Sequence, residues 1–341
     1  MDRRRFLKGA AAAGAALAGL TTLGELFLPF AEALDIPKFN FAHVTDLHLD
    51  VRGESTWQYR EKSVPLFIDA LRQLQRLPKP KLKFVVFGGD QIHYGPNDKE
   101  SLVVFQNWTG HLDVPYYILL GNTEVSPVTG VSKLSKDDYL KAWSGKGIKP
   151  GNTSWAFDPV RGVRVIGFDV TVDGKPYGEA DPKRMKWLED DLEENRHKKL
   201  IIVFTHQLLL PTSPRDTTPE WSFWMVRNHD KVRALLEKYP NVRLAISGHH
   251  HVSKVVTAGR ITYVADPAIV TYPCALRSYT VSRDGIYLRN VGLDDKATVN
   301  RAMELLISDP YAKMYDSAAP QKVAEYSAGI TPRDRETTIK L

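Results

Sequence analysis

The sequence predicts an α/β protein, with helices on both faces of a mixed sheet. Three observations point there. Seven short apolar runs, bounded by Gly, Asp or Asn, read as buried strands: FNFAHV (39–44), KFVVFG (83–88), YYILL (116–120), VRVIGF (163–168), LIIVFT (200–205), VRLAIS (242–247) and ITYVA (261–265). Amphipathic stretches alternate with them. From residue 163 onward, hairpin-like pairs of runs fit two packed sheets.

Taken in order, the first 33 residues stand outside this fold. Arg3, Arg4, Arg5 and Lys8 precede an Ala/Gly/Leu stretch of moderate hydrophobicity, and Ala31-Glu32-Ala33 offers a small-residue cleavage site. This is the pattern of a signal peptide, too short and too mild for a transmembrane helix. RRRFLKG resembles the twin-arginine export signal. The expectation is an exported protein, periplasmic or extracellular, handed to the twin-arginine machinery and left with no membrane span after cleavage.

The helical stretches follow. Phe67, Leu71 and Leu74 are spaced i, i+4, i+7. DPKRMKWLEDDLEENRH opens on Asp181-Pro182, a helix start, and carries Met185, Leu188 and Leu192 on one face. DKVRALLEKYP ends at a proline. Two long segments, 121–155 and 208–223, read as irregular, and loops of that length beside strand ends often cover substrates. After about residue 295 one helix-like piece, ATVNRAMELLIS, precedes polar sequence. The expected organisation is a signal peptide (1–33), one catalytic domain (34–294) and a C-terminal helix with a polar tail (295–341).

Composition narrows the function. The chain has 341 residues, 43% of them hydrophobic and 25% charged, enough for a sizeable core. Its formal charge of +6 suits anionic substrates, but no dense Lys/Arg block argues for nucleic acid. The one cysteine, Cys274, excludes an intramolecular disulfide framework and a multi-thiolate metal site, and reads as a small core residue.

Chemistry-bearing residues fall at strand ends. Asp46 and His48 follow the first run, Asp90 the second, Asn122 the third, His206 the fifth, and His249, His250 and His251 the sixth. In α/β sheets the ligand crevice lies at the carboxyl ends of the strands, so five such ends imply one shared site. Imidazoles mixed with carboxylates suit Mn, Fe, Zn or Co better than Ca or Mg alone. Two such ions, divalent or trivalent, can clamp a phosphate and activate a water. Gly88-Gly89 and Gly121 keep the backbone tight where the ligands converge.

The order DxH, GD, GN, H, GHxH resembles the calcineurin-like metallophosphoesterases, and within them the class III cyclic-nucleotide and glycerophosphodiester phosphodiesterases. The resemblance runs from about Phe39 to about Asn290 and includes SWAFDPVRGVRVIGFDV (154–170) and VRNHDKVRALLEKYPNVRLAISGHHH (226–251). It implies a four-layer α/β/β/α sandwich. It implies that Asp46, His48 and His251 hold a first metal, that Asn122, His206 and His249 hold a second, and that Asp90 bridges them. His250 is then a spacer. A metal-bridging hydroxide attacking phosphorus in line is the implied mechanism, acting on a small phosphate ester, more a diester than a monoester.

One position departs from the family. The residue after the GN asparagine is normally histidine, near the phosphate, and here it is Thr123. A hydroxyl can donate a hydrogen bond but cannot replace an imidazolium as an acid. Either the substrates have good leaving groups, or another side chain supplies the proton. His93, three residues after Asp90, is the first candidate, and Glu124 the second. A metal-loaded binding protein with little turnover is the competing reading, with Thr123 its only support; a phosphomonoesterase and a nuclease are further alternatives. Trp221, Trp224 and Arg215 read as a packed lid, His229 and Asn228 as structural, His43 as a core or supporting histidine, and His111 and His197 as surface residues.

Overall fold

The strand at Phe39–Val44 (β1) shows how this chain builds its layers. It is buried along its whole length, and its side chains alternate between two apolar environments. Phe41 points to one side, stacking on Phe84 and Tyr279 at 5.0 and 4.5 Å and meeting Phe204 of the opposite sheet edge-on at 6.0 Å. Ala42 and Val44 point to the other, into a cluster with Phe67, Leu71 and Phe105 from the helices.

The computed structural model describes residues 36–149 and 151–341; the expected signal segment 1–33 lies outside them. Besides β1, the strands are Leu82–Phe87 (β2), Tyr116–Ile118 (β3), Trp155–Phe157 (β4), Val163–Gly167 (β5), Leu200–Thr205 (β6), Val242–Ser247 (β7), Lys254–Ala258 (β8), Ile261–Ala265 (β9), Ala275–Ser282 (β10), Gly285–Gly292 (β11) and Glu336–Ile339 (β12). They form two six-stranded sheets, ordered β12-β11-β10-β1-β2-β3 and β4-β5-β6-β7-β9-β8. Both are mixed: β1, β2 and β3 run parallel while β10 pairs antiparallel with β1, and β5, β6, β7 and β9 run parallel between antiparallel edges.

Helices cover the outer faces. Ser63–Gln75 (α1) and Asp98–Thr109 (α2) pack on the first sheet through Leu66, Phe67 and Phe105. On the second sheet, Pro182–Glu194 buries Leu188 and Leu192, and His229–Glu237 buries Val232 and Leu236. Asp181 caps the first of these as its sequence suggests, accepting from the Arg184 amide with Pro182 in the first turn. The layers are therefore α/β/β/α, as expected.

Some stretches are more ordered than their sequence signals. Within 121–155 a helix spans Lys136–Ala142, closed by a Ser135/Asp138 capping box. After the helix at Lys296–Ser308 come three short ones, Pro310–Tyr315, Lys322–Ala328 and Pro332–Arg335, and then β12, which pairs with β11. The C-terminal residues thus complete the first sheet. No helix among the described residues is long and apolar enough to cross a membrane.

A buried ionic group joins the sheets. Arg277 of β10 meets Asp266, just past β9, at 2.6 Å, and Asp266 also accepts from Tyr279 and pairs with His43, each at 2.8 Å. Arg277, Asp266 and Tyr279 are fully buried. His43 is thus a core histidine under the site, and Cys274 is a buried free thiol.

Candidate metal centre

The seven residues expected to hold metal converge at the seam between the two sheets. The first sheet sends in Asp46 and His48 after β1, Asp90 after β2 and Asn122 after β3; the second sends in His206 after β6 and His249 and His251 after β7. Backbone bonds lock the first two loops together, from the Asp46 amide to the Gly89 carbonyl at 3.1 Å and from His48 to Asp90 at 2.8 Å. Asp46, His48, Asp90, His249 and His251 all have positive φ, between 41° and 65°. Such a conformation is costly for a non-glycine residue, and five together mark a site that the fold over-determines.

The side chains form two groups. One ligand atom each from Asp46, Asp90, His206 and His249 lies within 4.8 Å of the others, and the same holds for Asp46, His48 and His251. Asp90 reaches both: its Oδ1 is 3.4 Å from His206 Nε2 and its Oδ2 is 3.5 Å from His48 Nε2. Asp46 Oδ1 lies 3.2 Å from His251 Nε2. The free oxygens are selected by what the others do. Asp46 Oδ2 accepts from Thr45 Oγ1 and the His249 amide, leaving Oδ1 open. His206 Nδ1 is held by the Gly88 carbonyl at 2.8 Å and His251 Nδ1 by Thr271 at 2.8 Å, so each ring turns Nε2 inward.

These residues fit a pair of metal ions. Asp46 Oδ1, Asn122 Oδ1 and His206 Nε2 are buried without a hydrogen-bond partner among the described residues, an expensive arrangement unless a cation takes them up. The electrostatics agree. Burial opposes charge on His206, yet Asp90 beside it, with Asp46, raises the imidazole to about 9. Burial likewise works against the Asp90 carboxylate, but His206, His48 and His249 hold it well below the usual range. The two carboxylates thus favour positive charge beside His206. His48 and His249 are pushed down to about 3, chiefly by burial, and so stay neutral, the form that ligates a metal. The glycines allow the crowding: a Cβ at Gly121 would stand 2.1 Å from Asp90 Oδ1, and one at Gly248 2.2 Å from Thr45 Oγ1.

Thr123 does not face outward. Its amide and its hydroxyl both donate to Asp90 Oδ1 at 2.9 Å. Glu124 is fully buried, neither solvated nor paired with Lys or Arg, and accepts from the amides of Asp90, Ile92 and Gly121 at 2.8–3.1 Å. It ties the Asp90 loop to the Asn122 loop. His93 is half-buried, stacked on Tyr94, with Nδ1 3.4 Å from His48 Nδ1.

Among the other histidines, His250 is buried beside Thr212 and Trp224. His111 and His197 are exposed. Asn228 braces Ala180 through both amide atoms, Arg215 stacks on Tyr315, and Trp221 and Trp224 are buried. Sequence reasoning missed Gln58, whose Nε2 lies 3.1 Å from His48 Nε2. A neutral residue in the loop between β1 and α1 carries no signal that would have found it.

Comparison with known proteins follows this geometry. A profile of the calcineurin-like phosphoesterase family matches residues 39–253. A protein of Arcobacter nitrofigilis named "Probable glycerophosphodiester phosphodiesterase GpdQ" is 25% identical over 209 residues, 61% of this chain and 70% of its own. A 3',5'-cyclic-nucleotide phosphodiesterase of Nostoc sp. is 23% identical over 233 residues, 67% of this chain and 77% of its own. In fold, the chain is similar to a dimetal phosphatase from Danio rerio, with a TM-score of 0.61, 18% identity and coverage of 74% of this chain and 96% of that one.

Proposed function

The chain belongs to the calcineurin-like phosphoesterase family, and we propose that it is a two-metal phosphodiesterase exported from the cytosol. One observation carries the two-metal reading: Asp90 extends one oxygen toward His206 and the other toward His48. Asp46, His48 and His251 would hold one ion, Asn122, His206 and His249 the other, with Asp90 between them. Bound there, such a pair supplies Lewis-acid stabilisation of the phosphoryl oxygens and a water of lowered pKa.

The chain's own residues set the stage for that chemistry. Thr123 fixes the rotamer of Asp90 through two hydrogen bonds, so in this reading it is a brace for the bridging carboxylate. His93 steadies the His48 ring from outside. The names of the curated relatives, a glycerophosphodiester and a cyclic-nucleotide phosphodiesterase, support a diester over a monoester.

A panel of aryl and alkyl phosphate mono- and diesters, assayed with Mn, Fe, Zn and Co, tests this reading. Bis(p-nitrophenyl) phosphate should be hydrolysed with a higher kcat/KM than p-nitrophenyl phosphate; the reverse order would make the enzyme a monoesterase. On the same panel His93→Ala should lose roughly 10–100-fold on aryl and alkyl diesters alike, the scale for removing an outer partner of a metal ligand. A loss confined to alkyl esters would instead make His93 the proton donor. Two bound metals with no turnover of any ester would favour the binding-protein alternative.

Export rests on Arg3, Arg4 and the apolar stretch after them. Arg3→Lys with Arg4→Lys should leave the protein in the cytosolic fraction, and unchanged export would remove the twin-arginine route.

A further inference from the structure

The wall around the candidate centre is built of rings from separate parts of the chain. Trp57 lies with its ring 4.8 Å from that of His251, tilted by 48°. Behind it Tyr311, from the C-terminal helix at Pro310–Tyr315, stacks at 4.5 Å and 16°, which holds the indole in place. On the His249 side Trp224 lies 4.9 Å from that histidine, and Phe223 packs on Trp224 at 4.4 Å. The Phe223 carbonyl lies 3.2 Å from His249 Nε2. On the third side His93 and Tyr94 stack at 4.7 Å. Trp57, Phe223 and Tyr94 are each half-buried, so part of each remains exposed. The nearby cation Arg60 is matched by Asp50, at 3.9 Å.

A second observation comes from the Asn122 loop. The Thr123 hydroxyl is given to Asp90, and the Glu124 carboxyl to three backbone amides. Neither is free to protonate a departing oxygen. An alkoxide leaves poorly without a proton, whereas an aryloxide leaves without one.

We propose that the site takes phosphate diesters bearing an aryl group, with the ring seated against Trp57. This deepens the phosphodiesterase reading and rests on it. Hydrolysis then breaks the P–O bond to the ring: water supplies the new oxygen on phosphorus, its protons pass to bulk solvent, and the aryloxide departs with the bonding electron pair. The rings also distinguish this substrate class from glycerol esters, whose polyol offers no flat surface to stack.

Binding of phenylphosphonate and methylphosphonate to the metal-loaded protein tests the ring seat apart from turnover, read by quenching of tryptophan fluorescence or by calorimetry. Phenylphosphonate should bind about tenfold more tightly, the scale of one good aromatic stacking contact. Trp57→Ala should bring the two affinities together, and Trp57→Phe, which keeps a ring and the contact with Tyr311, should restore part of the preference. Equal affinities in the unaltered protein, or a preference that survives Trp57→Ala, would overturn the proposal. A retained phenyl preference with no hydrolysis of bis(p-nitrophenyl) phosphate would keep the ring seat and sink the phosphodiesterase reading on its own.

Discussion

Asp90→Asn should lower kcat on bis(p-nitrophenyl) phosphate by more than the roughly 10–100-fold that loss of an outer partner of a ligand costs, and reduce the metal content from two ions per chain to one or none. Asparagine keeps the shape and can still accept from Thr123, so the fold should survive. It loses one anionic oxygen. In the unaltered chain both oxygens are in use, Oδ1 on the side of His206 and Oδ2 on the side of His48. Asp46 cannot replace it, since one of its oxygens is already taken by Thr45 and the His249 amide. Metal analysis alongside circular dichroism and steady-state kinetics checks the prediction. Two retained ions with near-normal kcat would show that Asp90 is not the bridge.

Glu124→Ala should destabilise the protein and loosen the centre together. The carboxyl is fully buried and serves the amides of Asp90, Ile92 and Gly121. Burial first, then the charge of Asp90, pushes it up to about 7, against the pull of the amides of Ile92 and Gly121. Removing it strands donors that water reaches poorly. Each buried unpaired group costs about 1–3 kcal/mol, and in a domain of this class 1 kcal/mol moves Tm by roughly 2–4 °C. A fall in Tm of several degrees is expected, with weaker metal binding because the Asp90 and Asn122 loops lose their common anchor. Glu124→Gln should recover part of the loss, since its carbonyl oxygen can still accept from the Asp90 and Gly121 amides while its NH2 group would face the Ile92 N–H. An unchanged Tm and metal affinity in both variants would assign Glu124 no bracing role.

The parts of this architecture that were legible share one physical property: each pairs a strong apolar run with a polar break. FNFAHV, LIIVFT, VRLAIS and ITYVA coincide with β1, β6, β7 and β9, because strands buried on both faces need continuous apolar sequence. The residues at their ends gather at one seam for the same reason, since the parallel strands end together. Strands with mixed sequence were not legible. β10 reads ALRSYTVS, and its arginine looks like a surface residue, yet Arg277 is fully buried because Asp266 from the other sheet neutralises it. β12 is four residues, ETTI, with no apolar run to announce it; its place depends on the free edge of β11.

At the site, the substitution at Thr123 was plain in the sequence, but the direction of its hydroxyl was not. That direction depends on Asp90 lying within 2.9 Å, a tertiary fact. The bracing role of Glu124 was not legible for a related reason. A carboxylate is normally satisfied by water or a cation, and only the folded loops supply three backbone amides instead. Trp57 and Gln58 sit in a loop whose local pattern is unremarkable; they matter because the chain folds back over the ligands of another strand.

Metal titration of the metal-free chain, followed by hydrolysis of bis(p-nitrophenyl) phosphate, tests the central claim most directly. Turnover should rise with added Mn until two ions are bound per chain and then level off. Full activity at one ion, or no turnover with two ions bound, would contradict it.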